Sequence, residues 1–197
     1  MEIILGTKNI NKIKEIKPFF KDTDITINSL PETLNLEVIE DGKTLLENAN
    51  KKALAYAKAL NKPVLSDDTG LFIKSLNNEP GINSHRYSMV NDLENNKKVL
   101  KELGNNENRD AYFLTVITLA FPNGKTFNYD GIFKGTIALE VDDFEGFGYD
   151  PIFIPLGEKK VVTKLDSNYK YKHSHRSKAL LKLIKDLPNI VKYNNSL

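Results

Sequence analysis

The feature that most constrains the fold is an antiparallel ribbon placed late in a chain whose first half alternates strand and helix. Ala111 to Phe121 and Thr126 to Ile132 read as its two arms, the first rich in β-branched and aromatic residues. Pro122-Asn123-Gly124-Lys125 between them carries an Asn-Gly turn signal. Phe133 to Ile137 continues extended. Upstream, Ile3 to Leu5 reads as a strand. Asn9 to Phe20 reads as a helix with Ile13, Ile16, Phe19 and Phe20 on one face, kinked or shortened by Pro18. Asp24 to Leu30 reads as a strand. Thr44 to Leu60 reads as a helix with a broad apolar stripe from Leu45 to Leu60. Val64 to Ser66 is a short strand ending in Asp67-Asp68-Thr69-Gly70. Asp92 to Leu103 is a helix closed by Gly104. Ile152 to Ile154 is a further strand. Ser174 to Leu187 is the last helix, stopped by Pro188, with 189–197 a loosely held tail. This order implies an α/β fold, a central mixed sheet with flanking helices in a single domain over 1–197, with either one body or two lobes open to it.

Composition narrows the class. A chain of 197 residues suffices for one full α/β domain. Apolar content of 40% and charged content of 27% are those of a soluble globular protein. No run has the length of a membrane span, and Met1 to Gly6 has no signal-peptide pattern. The absence of cysteine excludes disulfides, thiolate-bound zinc and a cysteine nucleophile. The expected setting is cytoplasmic. A net charge of +2 is too small for a nucleic-acid platform. Against abundant lysine, arginine is confined to Arg86, Arg109 and Arg176, and histidine to His85, His173 and His175. Arginine in place of lysine points to planar, bidentate recognition or to chance clustering.

Four groups of residues carry chemistry. Thr7-Lys8-Asn9-Ile10-Asn11-Lys12 joins the first strand to the first helix, where amide donors and cations suit a phosphate; otherwise Asn9 is simply a cap. Asp67 and Asp68 pair two carboxylates suited to Mg²⁺ and to activating water. Glu40 and Asp41 add a ligand or form an exposed turn. Thr44 to Glu47 fits a capping box, and Lys52 faces either a cleft or solvent. Gly146-Phe147-Gly148-Tyr149-Asp150-Pro151 is a loop built to grip a planar ligand, or else a tight packed turn. Lys170-Tyr171-Lys172-His173-Ser174-His175-Arg176 is a second basic cluster, with Ser174 as a helix cap. Together they describe a magnesium-nucleotide site.

These segments resemble the noncanonical purine nucleoside triphosphate pyrophosphatases, the inosine triphosphatase family. The similar stretches are Thr7 to Lys12, Glu47 to Ala53, Ser66 to Leu71, Pro80 to Arg86, Phe133 to Gly135, Gly146 to Phe153 and Ser174 to Arg176, in the family's order. The resemblance implies an elongated mixed α/β fold with two lobes around a deep cleft, and a homodimer. It implies Mg²⁺-dependent hydrolysis of ITP, dITP and XTP to the monophosphate and pyrophosphate, cleansing the nucleotide pool. Glu40, Asp67 and Asp68 match the metal site, with Asp68 the general base. Substrate positions are Thr7, Lys8, Asn9, Ile10, Asn11, Lys12, Lys52 and Thr69, with Thr7, Asn9 and Lys12 on the triphosphate. Phe147 stacks on the base, Gly148, Tyr149 and Asp150 complete the clamp, and Lys170, His175 and Arg176 read the purine edge and sugar. Lys8 departs from a frequent glycine, and Tyr169 from a frequent acidic residue, so Lys172 competes with Lys170 for its role. A nucleotide sensor without turnover, a hydrolase of modified pyrimidine triphosphates and a nucleic-acid binder are the competing readings.

Overall fold

The computed structural model describes residues 1–142 and 146–197. By internal packing the chain forms two units, residues 1–68, 115–131 and 176–197, and residues 69–114 and 132–175.

The first unit holds β1 (Glu2–Leu5), β2 (Thr26–Ser29), the start of β3 (Val64–Ile73), the end of β5 (Asp110–Ala120) and the start of β6 (Thr126–Ile137). Their order is β2-β1-β3-β5-β6. β1 runs parallel to both neighbours, with Ile3 opposite Ile27 and Ile4 opposite Val64. Alternation along β1 divides the core between the faces of the sheet. Ile3 and Leu5 join Ile16, Phe20, Leu180, Leu183 and Ile190, from α1 (Ile10–Ile16), the 3-10 turn Lys17–Phe20 and α5 (His175–Asn194). Ile4 and Val64 join Ala53, Tyr56 and Ala57 of α2 (Leu45–Leu60). Pro18 shortens the first helix as expected, because it favours the start of the tighter turn. At the start of α2, Thr44 accepts the Glu47 N–H at 3.1 Å while the Glu47 carboxylate accepts the Lys43 N–H at 2.7 Å.

Two expectations are corrected in this unit. The last helix does not stop at Pro188 but runs to Asn194, and Ile190 is fully buried. Proline removes one hydrogen bond, but burial of Leu187 and Ile190 outweighs that loss. The strand begun at Val64 does not end at Ser66 either. It runs through Asp67, Asp68, Thr69 and Gly70 to Ile73.

The second unit holds the rest of β3, β4 (Glu79–Gly81), the start of β5, the end of β6 and β7 (Phe153–Pro155), in the order β4-β3-β5-β6-β7. β3 and β4 are antiparallel with Phe72 opposite Pro80, and β6 and β7 with Thr136 opposite Ile154. At Gly70 a side chain would sit 2.5 Å from the Gly81 carbonyl, so this glycine serves strand approach rather than a turn. α3 (Asp92–Leu103) starts at Asn91, whose side chain accepts the Glu94 N–H at 2.9 Å, and ends at Gly104. α4 is Tyr169–His173. Leu71, Val99, Leu103, Phe113, Phe133, Tyr149 and Phe153 form the core. Ile152, expected in a strand, closes the 3-10 turn Asp150–Ile152 instead, where Pro151 favours the turn conformation.

Candidate active site

The charged residues of the first unit converge on β3. Asp67 is 1% exposed. Its Oδ2 accepts from Arg176 Nη2 at 2.9 Å and Nε at 3.2 Å, and its Oδ1 lies 3.1 Å from Lys12 Nζ. Arg176 is 2% exposed and also pairs with Glu15. Burial alone would raise the Asp67 pKa, but the Lys12, Arg176 and Lys52 charges hold it well below the usual carboxylate range. Burial opposes the guanidinium charge too, and Asp67 and Glu15 more than restore it.

Asp68, the next residue, behaves oppositely. Burial raises its pKa, and Lys52, Lys12 and a hydrogen bond from Asn48 only partly offset this. Asn48 Nδ2 donates to Asp68 Oδ2 at 3.1 Å, and Asn48 Oδ1 accepts the Gly42 N–H at 2.8 Å, tying the loop before α2 to β3. Lys52 is buried and donates to Glu40 Oε1 at 3.0 Å. Burial disfavours its charge, yet Asp67, Glu40 and Asp68 together raise its pKa. Lys52 therefore faces the carboxylates rather than solvent. Asp41 is exposed and pairs with Lys51.

The loop before α1 is a cap first. Asn9 Oδ1 accepts the N–H groups of Asn11 at 3.0 Å and Lys12 at 3.3 Å, and Thr7 Oγ1 accepts that of Asn9 at 3.1 Å. Those amides are used within the loop, so the charge it offers an anion comes from Lys12 and exposed Lys8. Ile10 is 58% exposed at the helix start. Gly6 admits no side chain, because a Cβ would lie 2.1 Å from Ser66 Oγ.

Burial on β3 also frames the metal question. Among the described residues, no group of 3 or more His, Cys, Asp or Glu side chains gathers into a metal cage. Asp67 is committed to Lys12 and Arg176. Glu40 and Asp68 remain as hard oxygen donors facing one shared cation, Lys52. That donor set fits Mg²⁺, which is commonly held by one or two carboxylates together with phosphates.

In the second unit the loop 146–153 is sorted by burial. Tyr149 is core, its hydroxyl donating to the Ser84 carbonyl at 2.7 Å. Asp150 is buried and accepts from Lys170 Nζ at 2.7 Å. The same ammonium stands 5.4 Å from the centre of the Phe147 ring. Phe147 is therefore the partly exposed aromatic of the loop, and Lys170, not exposed Lys172, is the lysine beside it. Gly148 sits at a φ of +62° that favours glycine. His175 is buried against Phe113, with ring centres 4.8 Å apart. Thr69 is half-buried on β3.

Sequence reasoning missed Asn48 and Glu15. For the first, an asparagine at helical spacing within the apolar stripe, just after the capping box, was a readable signal. Glu15 reads as an ordinary helix charge until Arg176 is brought to it.

A family description, the Ham1 family, matches residues 3–186. The dITP/XTP pyrophosphatase of Acholeplasma laidlawii is 42% identical over 193 residues, covering 98% of this chain and 96% of its own. That of Bacillus subtilis is 42% identical over 189 residues, covering 93% and 96%. The Staphylococcus aureus Ham1 protein structure is similar with a TM-score of 0.86 at 38% identity, over 96% of this chain and 99% of that one. Because the match takes in the Asp67–Asp68 strand, α3 and the Phe147 loop alike, this chain is a member of the Ham1 family.

Proposed function

We propose that this chain hydrolyses noncanonical purine nucleoside triphosphates, dITP, ITP and XTP, to the monophosphate and pyrophosphate, and so clears them before they enter DNA and RNA. The observation that carries the reading is the adjacent pair Asp67 and Asp68, the first buried between Lys12 and Arg176 and the second held by Asn48, surroundings that push their pKa values in opposite directions. Such a split separates a permanently charged anchor from a proton acceptor. Asp67 fixes Lys12 and Arg176; Asp68 takes the proton from the water that attacks the phosphorus nearest the sugar. Lys12 and Lys52 balance the triphosphate charge, with Thr7, Lys8, Asn9, Ile10 and Asn11 lining its end and Thr69 following Asp68 along β3. Bound Mg²⁺ supplies charge neutralisation and alignment on the phosphates, and Asp68 and Glu40 are the residues that would hold it. Phe147 stacks on the base. Lys170, held by Asp150, offers a donor suited to a purine 6-oxo group, whereas adenine presents a donor there and offers the lysine no acceptor. Gly148, Tyr149 and His175 shape that end. The relatives named dITP/XTP pyrophosphatase support this substrate class. The enzyme acts as a cytoplasmic homodimer in this reading.

The test is a nucleotide panel with pyrophosphate detection and a divalent-metal titration. Turnover of ITP, dITP and XTP well above ATP and GTP, dependent on metal and lost in Asp68→Asn, is the expected result. Binding without turnover would leave a sensor; preference for a methylated UTP would indicate pyrimidine chemistry.

A further inference from the structure

The structure assigns Asp92 and Asn96, both on the first turns of α3, as positioning residues for base recognition; this rests on the functional reading above. They hold opposite sides of one glycine. Asp92 Oδ2 accepts the Gly148 N–H at 2.9 Å, and Asn96 Nδ2 donates to the Gly148 carbonyl at 2.9 Å. Gly148 directly follows Phe147, and its positive φ leaves the peptide no help from strand or helix geometry. The Gly148 N–H belongs to the 147–148 peptide and its carbonyl to the 148–149 peptide, so the two bonds hold the peptide planes on either side of the Gly148 Cα, the first of which adjoins Phe147. Tyr149, on the other side, is anchored by its hydroxyl to Ser84. Phe147 is thus the member of the loop whose ring remains partly open, next to a glycine tied to α3 by two hydrogen bonds.

The chemistry of Asn96 argues against a purely structural role. It is 2% exposed, yet among the described residues its Oδ1 has no hydrogen-bond partner. A buried acceptor left unpaired costs stability, and an apolar residue would avoid that cost at a core position. What only the amide provides is the donor to Gly148. The neighbouring Asn95 has a different task. Its side chain accepts the Ser88 N–H at 2.6 Å and donates to the His85 carbonyl at 3.2 Å. Two successive asparagines of α3 thereby order two loops.

The test compares Asp92→Ala, Asn96→Ala and the conservative Asp92→Asn, which keeps an acceptor for the Gly148 N–H, with Phe147→Ala as reference. ITP kinetics give kcat and KM, and calorimetry with ITP without divalent metal gives Kd. Expected for the two alanine variants is a KM and Kd raised about three- to tenfold, the worth of one hydrogen bond. Their kcat should stay within about twofold, and Asp92→Asn should be restored toward wild type. KM and Kd unchanged in both alanine variants, or a loss confined to kcat, overturns the assignment. If wild type binds ITP without hydrolysing it, the catalytic reading fails, while the Kd comparison still decides the positioning role.

Discussion

At the residue scale, two neighbouring aspartates have opposite physical roles. Asp67 has a depressed pKa, so the stability it contributes is full above the unfolded value of about 3.9 and is withdrawn as pH falls through the folded value. Replacing it leaves buried Arg176 and half-buried Lys12 with less countercharge. Asp67→Asn should cost about 3–5 kcal/mol in urea unfolding at neutral pH. Asp68 has a raised pKa, so its contribution is present below the unfolded value and is lost as pH rises through the folded one. At neutral pH its ionised form therefore works against folding. Asp68→Asn should unfold at a temperature no lower than wild type while its turnover falls about a hundred- to ten-thousandfold.

At the element scale, local signals and packing disagree in informative places. Caps, the Asn-Gly ribbon turn and the stripe on α2 were legible because each depends on a few neighbouring residues. β3 was legible only as far as Ser66. Asp67-Asp68-Thr69-Gly70 has the composition of a turn, yet the strand continues because neighbouring strands supply its backbone partners and buried cations neutralise its charge. α5 teaches the same lesson through Pro188. Its last turns are held by Ile190 in the core, not by helix propensity. Ile190→Ala should therefore cost about 2–5 kcal/mol in chemical denaturation, where a loose tail would show almost nothing.

At the scale of the whole molecule, neither unit is a continuous piece of chain. The boundaries fall at Asp68–Thr69, Leu114–Thr115, Gly131–Ile132 and His175–Arg176, the first 3 inside β3, β5 and β6. Strands shared in this way make separate unfolding costly. Calorimetry should show one transition, with van't Hoff and calorimetric enthalpies in agreement; two resolved transitions would contradict this.

The sequence by itself determined the mixed α/β class, most helix starts and the antiparallel ribbon, and it named the residue types of the proposed nucleotide site, because periodicity, capping and turn chemistry are written within a few residues of one another. Tertiary structure alone decided what those residues do. Arg176 lies 109 positions from Asp67, and only folding makes it the buried partner of that carboxylate. Only folding buries Asp67 and half-buries Asp68, spends Tyr149 on the core, leaves Phe147 partly open and brings α3 to Gly148. The physical reason is desolvation: a side chain's charge, and its freedom to meet a ligand, depend on neighbours that are distant in the chain.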